Sequence, residues 1–468
     1  MPGTHDEDDG ADLYDLFRKV AYHAASHRNG VRLRPVRAAD PDAARAAFAV
    51  PLPESGSTAR EVLEQLASAA APGLVATAGP RFFGFVIGGA LPAATAADML
   101  AAGWDQVAFN PLVSPAAAAA EEAAGTWVKQ LLGVPETASV GFVTGAQAAN
   151  TVGLAAARHH LLTKAGWDVE REGLRESPAL RVVAGEERHA TIDRSLRLLG
   201  FGSDVVEEVE ADANGALDLA DLERVLDGQP PAPTVVCLQA GNVNTGACDS
   251  LRAATQIARR HDAWVHVDGA FGLWAAASPR TRSLVDGVEL ADSWGCDAHK
   301  WLNVPYDSAF AIVSRPDVHA GAMSYTAAYL VGSGVVPALA DFTAESSRRA
   351  RGFAVWAALQ ELGRDGVAEL VDRCCALARR FAEGLTTAGF EVANEVVLNQ
   401  VLVSFGDDPT TDAVTAGVQA DGTCWMGGTT WRGRRYMRIS VSNYSTTAED
   451  VDLSLAAILR VAERVSSA

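Results

Sequence analysis

Short apolar runs alternate with helical segments along most of the chain from about residue 139 onwards. Each run is rich in Val, Leu and Ile without regular polar alternation, which is typical of strands buried on both faces. Such runs separated by helices predict a parallel sheet covered on both sides, and ligands bind these sheets at the carboxyl ends of the strands. The predicted strands are 140–145, 181–185, 204–210, 233–241 and 263–270, with helices at 146–162, 219–227 and 251–261.

Helical patterns flank this region at both ends. Residues 11–27 carry apolar side chains at helical spacing, and a second helix at 57–70 could begin at a Ser57 or Thr58 cap. Neither helix can bury its apolar stripe alone, so both must pack on the rest of the chain or on a second subunit. After residue 350 the pattern predicts a smaller α+β unit, with helices at 355–385 and 447–465 and strands at 400–406 and 435–443.

These patterns divide the 468 residues into three parts. We expect an N-terminal helical arm at a dimer interface (1–78), a large domain that carries the site (79–345) and a small C-terminal α+β domain (346–468). Chains of this length ordinarily form two or three domains, so the division agrees with length alone.

Composition excludes several classes of function. The net charge of −19 disfavours partners with a phosphate backbone and anionic membrane surfaces, because the field of the protein repels them. No apolar run reaches the length of a membrane span, and the first twenty residues are acidic where a secretory signal would be basic and then apolar. Six irregularly spaced cysteines, without paired CxxC motifs, favour a reduced cytoplasmic protein without a metal site.

Three groups at predicted strand ends point to one kind of chemistry. Asp268 lies where the strand at 263–270 ends, Lys300 follows His299, and the junction at 143–150 joins a strand to a helix whose first amides suit a phosphate. The chain has just four lysines, the others being Lys19, Lys129 and Lys164. A lysine, a carboxylate and an anion cradle are what pyridoxal phosphate needs, although each group alone could be a solvated lysine, a turn residue or close packing.

The motifs that hold these groups resemble a known family. The segments HVDGAFG (266–272), HKW (299–301) and TGAQAAN (144–150) are similar to the group II pyridoxal-phosphate decarboxylases, which include the aromatic amino acid and glutamate decarboxylases. Further similarity at 79–100, 114–122, 187–200 and 437–452 extends the resemblance from about Leu13 to Val461. It implies a fold type I α/β architecture: a mostly parallel seven-stranded sheet with helices on both faces, an N-terminal helical segment and a small C-terminal α+β domain.

The resemblance also implies roles for residues around the cofactor. Lys300 corresponds to the lysine that forms the Schiff base, and Asp268 to the partner of the pyridine nitrogen. Ala270 and His189 correspond to the residues on opposite faces of the ring, although His189 could also be a surface loop residue. His299 is expected at the phosphate or at the substrate carboxylate.

The resemblance is less complete in the phosphate loop, where the family has serine or threonine hydroxyls. Here the loop reads Thr144, Gly145, Ala146 and Gln147, so backbone amides, Thr144 or another loop would bind the phosphate. Asn242 matches a polar contact to the cofactor, with Asn244 as an alternative, and either could be a turn residue. Asp297 replaces an asparagine of the animal aromatic decarboxylases, and we expect it to point elsewhere or to pair with an arginine, because a carboxylate repels phosphate.

Substrate recognition rests on the resemblance alone. Segment 81–89 is similar to a pocket-lining segment, and residues 109–110 are similar to residues contributed across a dimer interface; these side chains suit an aromatic or apolar substrate, though any of them could be core residues. The segment at 324–342 is similar to a closing loop whose tyrosine protonates the substrate carbon, for which Tyr329 aligns best and Tyr325 is the rival. The pocket residues so named are Phe85, Val86, Ile87, Phe109 and Asn110.

These observations favour a homodimeric cytoplasmic enzyme that uses pyridoxal 5'-phosphate to decarboxylate an L-amino acid. Two alternatives remain open. The same scaffold can run transamination, aldol cleavage or decarboxylative oxidative deamination, since fold does not fix the reaction. A non-catalytic relative is disfavoured because Lys300, Asp268 and His189 are all present.

Overall fold

The computed structural model describes residues 9–37, 40–325 and 338–467. Tyr329, the predicted proton donor, lies outside these residues. Within the described part of the chain, no helix is long and apolar enough to cross a membrane.

A seven-stranded sheet forms the centre of the molecule, with the strand order β1-β7-β6-β5-β4-β2-β3. The five strands from β3 to β6 run parallel, and β7 is antiparallel to both of its neighbours, β1 and β6. The mostly parallel sheet that the sequence predicted is therefore confirmed. Its strands are β1 (Ser139–Val143), β2 (Arg181–Gly185), β3 (Val206–Val209), β4 (Thr234–Gln239), β5 (Trp264–Asp268), β6 (Ser293–Asp297) and β7 (Ala309–Val313).

Helices cover both faces of this sheet. Alternate residues of β4 belong to different hydrophobic clusters: Val235 and Cys237 pack with one set of helices, whereas Val236 and Leu238 pack with another. The site described below opens on the first of these faces. The helices of the large unit are α4 (Pro92–Trp104), α5 (Pro115–Leu132), α6 (Ala146–Lys164), α7 (Val169–Glu172), α8 (Ala190–Leu198), α9 (Leu219–Asp227), α10 (Leu251–Arg260) and α11 (Pro316–Met323).

A smaller antiparallel sheet follows, with the order β10-β11-β9-β8. The long helix α12 leads into it and leaves helical geometry at Gly363, where φ is 61°, a conformation that glycine adopts without a steric penalty. The sequence had predicted one uninterrupted helix here. The elements are α12 (Gly352–Thr387), β8 (Glu391–Val392), β9 (Gln400–Ser404), α13 (Asp408–Asp421), β10 (Gly427–Trp431), β11 (Arg434–Ser440) and α14 (Ala448–Ser466).

Three helices precede the large unit: α1 (Asp9–Gly30), α2 (Pro41–Phe48) and α3 (Ala59–Ala70). Thr58 caps α3 in a reciprocal arrangement with Glu61, as one of the two predicted caps required. The segment after α1 contacts the small unit, since Arg32 bonds to both carboxylate oxygens of Asp450 at 2.9 Å. Several apolar side chains of this arm remain exposed, among them Tyr14 at 72% and Phe17 at 51%.

Candidate active site

Lys300 lies on the loop that follows β6, and its amine faces Asp297, the last residue of that strand. Its Nζ is 3.0 Å from Asp297 Oδ2, while Asp297 Oδ1 accepts a hydrogen bond of 2.6 Å from the amide of Ala146. Our expectation that Asp297 would point elsewhere or pair with an arginine was wrong, because its partner is Lys300, three residues further along the chain. Asp297 therefore connects the end of β6 to the first residue of α6.

The other three lysines have partners far from this loop. Lys19 bonds to Glu64, Lys164 bonds to Asp262, and Lys129 donates to backbone carbonyls after α5. Among the four lysines, Lys300 alone follows a strand of the central sheet and faces buried acids. The structure thus agrees with the reason for which Lys300 was singled out.

His299 fills the space between Lys300 and the start of α6. Its ring stacks on Tyr306 with 4.3 Å between centroids, and its Nδ1 accepts a hydrogen bond from the amide of Ser308 at 3.1 Å. Burial lowers the pKa of His299, so its neutral form is favoured. A Cβ on Gly145 would lie 3.4 Å from this ring, which places the imidazole against the turn that was predicted to hold a phosphate.

Asp268 is the last residue of β5 and is 5% exposed. It accepts hydrogen bonds from Asn150 Nδ2 at 3.0 Å, from the Ala270 amide at 3.2 Å and from Thr191 Oγ1 at 3.4 Å. Donors of this kind favour the ionised form of a buried carboxyl group. Three donors thus converge on the Asp268 carboxylate, one of them the amide of Ala270.

His189 is the N-cap residue of α8, and its Nδ1 accepts a hydrogen bond from the amide of Thr191 at 3.3 Å. Burial lowers the pKa of His189, the charge of Asp268 opposes that shift, and the charges of Lys300 and Arg438 lower it further. Since Nδ1 is an acceptor, the neutral ring carries its proton on Nε2. The structure therefore brings His189, Asp268 and Lys300 into one electrostatic environment.

The turn before α6 supplies fewer anion-binding groups than the sequence predicted. The amide of Ala146 serves Asp297, and the side chain of Gln147 is turned to α8, where it donates to Ser195 Oγ at 2.9 Å. The first bond that runs into the helix is from Ala149 to the carbonyl of Gly145, so the amides of Gln147 and Ala148 have no helical acceptor. Thr144 Oγ1 makes no hydrogen bond within the described part of the chain.

Asn242 is engaged in its own loop. Its Oδ1 accepts hydrogen bonds from the amides of Asn244 and Thr245, and its Nδ2 donates to the carbonyl of Glu187. Asn244 Oδ1 accepts a hydrogen bond from Thr429 of the small unit at 2.9 Å. Both asparagines thus have structural partners, and for neither does the structure add a contact to Lys300 or Asp268.

The predicted pocket segment runs beside Lys300. A Cβ on Gly88 would lie 1.9 Å from the carbonyl oxygen of Lys300, so only glycine permits this approach. Phe85 and Val86 both have positive φ, 56° and 58°. This conformation is uncommon for any residue with a side chain and is strained for the β-branched Val86, so the two residues mark a constrained turn. Phe85 is exposed and packs against Trp425 with 5.2 Å between ring centroids, whereas Val86 is buried and Ile87 packs with Phe82 and Trp425.

The two residues assigned to the other side of the pocket, Phe109 and Asn110, make local hydrogen bonds in this chain. Asn110 Oδ1 accepts hydrogen bonds from the amides of Leu112 and Val113, and the carbonyl of Phe109 accepts one from Ala340. Neither contacts Lys300 within the chain. Tyr325, the second loop tyrosine, is 45% exposed after the end of α11.

Sequence reasoning missed three residues of the site. Arg438 lies between the buried Met437 and Ile439 of β11, and its guanidinium has no ion pair or hydrogen bond with any described residue. That isolated charge inside an apolar strand was the signal that could have found it. Trp425 precedes β10, where no local pattern marks it, and the hydroxyl of Ser308 is buried without a partner beside His299.

These groups fit pyridoxal phosphate. The Lys300 amine and the Asp268 carboxylate belong to the carboxyl ends of the neighbouring parallel strands β6 and β5, and Thr191 contacts both Asp268 and the His189 imidazole. The unpartnered hydroxyl of Ser308, the free amides at the start of α6 and Thr144 could satisfy a phosphate. Ser308 would supply the hydroxyl contact that the phosphate loop lacks.

Comparison with known proteins agrees with this chemistry. Residues 41–406 match the pyridoxal-dependent decarboxylase conserved domain. An aromatic-L-amino-acid decarboxylase of Bacillus atrophaeus is 26% identical over 472 residues, 96% of each chain, and tryptophan decarboxylase 1 of Oryza sativa subsp. japonica is 30% identical over 69% of this chain and 66% of its own. A crystal structure of Oryza sativa TDC with PLP and tryptamine superposes with a TM-score of 0.90 at 24% identity, covering 98% of this chain and 99% of that one.

Proposed function

Because this chain belongs to the pyridoxal-dependent decarboxylase family, we propose that its decarboxylation reaction acts on an aromatic or apolar L-amino acid and releases the corresponding amine. The enzyme is a carboxy-lyase and its cofactor is pyridoxal 5'-phosphate. The observation that best supports the residue assignment is that Thr191 Oγ1 contacts both His189 Nδ1, at 2.9 Å, and Asp268 Oδ2, at 3.4 Å, while Lys300 follows β6, the strand next to that of Asp268.

Each of these residues has a distinct task in the proposal. The bound cofactor supplies an electron sink for the pair of electrons left at Cα when carbon dioxide departs. Lys300 holds the cofactor covalently, and Asp268 holds a proton on the ring nitrogen. His189 and Ala270 keep the ring between them, while His299, Thr144 and the Gln147 amide bind the phosphate. Ser308, missed by the sequence, joins this last group.

The aromatic preference is supported by the wall that Phe85 forms with Trp425 and Phe82. Phe82 stacks on Trp425 with 4.8 Å between centroids and 6° between planes, and Phe85 exposes its ring beside them. Flat apolar substrates gain from offset stacking against such a surface. Relatives named as tryptophan and tyrosine decarboxylases agree with this preference.

One observation favours a second candidate substrate class. The half-buried guanidinium of Arg438 has no partner among the described residues, and burial lowers its pKa. A substrate whose side chain ends in a carboxylate would neutralise it. Carbon dioxide release from a panel of L-amino acids separates the two: release from tryptophan, tyrosine and phenylalanine supports the first, and release from aspartate or glutamate alone would replace it with the second.

Tyr329 is proposed as the donor that protonates Cα after carbon dioxide has left. A phenol near Cα in a site closed to solvent favours the amine over reaction with dioxygen, which yields an aldehyde. Tyr329→Phe should slow amine formation and release aldehyde, ammonia and peroxide in air. If instead Tyr325→Phe has this effect, the role belongs to Tyr325; if neither does, the loop tyrosines have no part in the choice of product.

The active unit is proposed to be a homodimer. The exposed apolar side chains of α1, including Leu13 and Phe17, and those of the loop after Asn110, including Leu112, would be covered by an isologous partner that also brings Phe109 to the other site. Light scattering at assay concentration tests this, and a fully active monomer would refute it. A reduced cytoplasmic setting is also proposed, supported by six cysteines that are all free.

A further inference from the structure

Five buried polar side chains form a hydrogen-bonded line that begins at Asp268 and leads into the interior. Asn150 Nδ2 donates to Asp268 Oδ2 at 3.0 Å, and Asn150 Oδ1 lies 3.0 Å from His266 Nε2. His266 Nδ1 is 2.8 Å from Ser293 Oγ, which accepts a hydrogen bond from Trp264 Nε1 at 2.9 Å. Each of the five side chains is at most 5% exposed.

The donor inventory gives this line a single direction. An ionised Asp268 can only accept, so Asn150 must turn its NH₂ to Asp268 and its carbonyl oxygen to His266. His266 Nε2 then carries the proton, and Nδ1 must accept the proton of Ser293. Burial lowers the pKa of His266 to about 4, which keeps the ring neutral, as this arrangement requires.

The backbone is arranged so that these side chains can meet. Trp264, His266 and Asp268 alternate along β5 and therefore project from one face, toward α6. Ser293 is the register partner of His266 on β6. The line thus runs along one strand and uses one residue from the helix above it and one from the next strand.

Two glycines make room for it at positions where glycine is otherwise unfavourable. A Cβ on Gly153, in the interior of α6, would lie 2.6 Å from His266 Cε1, and a Cβ on Gly295, in β6, would lie 2.6 Å from Asn150 Oδ1. Glycine inside helices and strands weakens both. These two positions therefore point to a requirement for the enclosed side chains.

We propose that Asn150, His266 and Ser293 are positioning residues that hold Asp268 as an anion and so keep a proton on the ring nitrogen of the bound cofactor. This rests on the proposed contact between Asp268 and that nitrogen. A proton shared between a carboxylate and a pyridine lies on the nitrogen when the carboxylate is well supplied with donors. Each donor in the line polarises the next, so the effect reaches Asp268 from Ser293.

The experiment uses the holoenzyme loaded with pyridoxal phosphate labelled with ¹⁵N in the ring, whose chemical shift reports the protonation of that nitrogen. Asn150→Leu removes the shortest donor to Asp268 and should lower the ratio of nitrogen-protonated to carboxyl-protonated forms by about tenfold or more, as expected for a hydrogen bond to a charged group. Ser293→Ala should lower it by a smaller factor. His266 should keep its proton on Nε2, which faces Asn150 Oδ1, while the ¹⁵N shift of Nδ1 changes because that nitrogen loses the hydrogen bond from Ser293.

The matched control is Asn394→Leu, which removes a buried asparagine of the small unit that bonds to Thr245, Gln400 and Leu402 instead. It should lower the melting temperature and leave the ring shift unchanged. A wild-type ring shift in folded Asn150→Leu would overturn the proposal. If Asn150→Leu does not fold, a wild-type ring shift in folded Ser293→Ala would overturn it. Asp268→Asn tests the proposed contact between Asp268 and the ring nitrogen separately from the support that Asn150, His266 and Ser293 give to Asp268. If Asp268→Asn also leaves the ring ¹⁵N shift unchanged, the contact itself is wrong.

Discussion

His319 should make the protein lose stability in mild acid, and His319→Phe tests this. His319 lies on α11, which packs on α6, and it is fully buried with Nδ1 2.8 Å from Ser139 Oγ. Burial lowers its pKa to about 3, and burial lowers the pKa of His266 to about 4, from a usual value of 6.5. Below pH 6.5 the unfolded chain therefore binds protons at both positions while the folded protein does not, so the free energy of unfolding decreases as the pH is lowered.

The size of this loss follows from the shifts. Between pH 7 and pH 5 each histidine removes about 2 kcal/mol from the free energy of unfolding, at about 1.4 kcal/mol per pH unit below 6.5. Asp249 acts in the opposite sense: burial raises its pKa to about 6, so the folded protein binds a proton there before the unfolded chain does. That returns about 1.4 kcal/mol over the same interval, which leaves these three groups with a net loss of roughly 2.5 kcal/mol.

Urea unfolding at pH 7 and pH 5, at fixed protein and cofactor concentrations, measures the difference. His319→Phe keeps a ring of similar volume and should reduce the loss between the two pH values by about 2 kcal/mol. His23→Gln, on the exposed side of α1, is the control and should leave the loss as in the wild type. An equal loss in His319→Phe and in the wild type would refute the assignment of acid sensitivity to this residue.

Three further predictions concern the site. Lys300→Ala should abolish the covalent cofactor adduct that borohydride traps; an adduct that persists on peptide mapping would assign the anchor to another lysine. Asp268→Asn should retain that adduct and lower kcat by several orders of magnitude, because an amide lacks the charge that holds the ring proton, and near-normal turnover would contradict the role. Asp297→Asn should lower the apparent Kd for the cofactor by about tenfold, since about 1.4 kcal/mol of repulsion with the phosphate is removed; weaker binding would show that its pairing with Lys300 matters more.

The central sheet was predictable because its strands carry their own signal. β2 spans 181–185 as predicted, and β4 and β5 differ from the prediction by one or two residues at their ends. Short continuous runs of Val and Leu are typical of strands buried on both faces, so the sequence alone indicates them. β6 and β7 were missed. The β6 sequence SWGCD lacks β-branched residues, whereas β7, AFAIV, ends in Ile312 and Val313 and carried a signal that was not used. Helices α4 and α5 were missed as well: both are rich in alanine, so their apolar positions form no distinct stripe.

The residues of the candidate site also differ in how far the sequence predicts them. Lys300 and Asp268 could be placed at strand ends from the sequence alone. The partners of Asp268 come from α6 and α8, and no spacing links residue 150 to residue 268. Arg438 could be found only by asking why an arginine interrupts a buried strand. Such pairings depend on how elements pack, which periodicity does not contain.

Asp297 shows why the electrostatic argument from sequence failed. Because a carboxylate repels a phosphate, we expected Asp297 to point elsewhere or to pair with an arginine. In the structure the compensation is local: the amide of Ala146 and the amine of Lys300 lie on opposite sides of one buried carboxylate. A lysine three residues along a tight loop needs no long side-chain reach, so its loss of conformational entropy is smaller than that of a distant arginine. The same carboxylate therefore holds the Lys300 amine and occupies the Ala146 amide, so a substitution of Asp297 should change both the placement of Lys300 and the number of free amides at the start of α6.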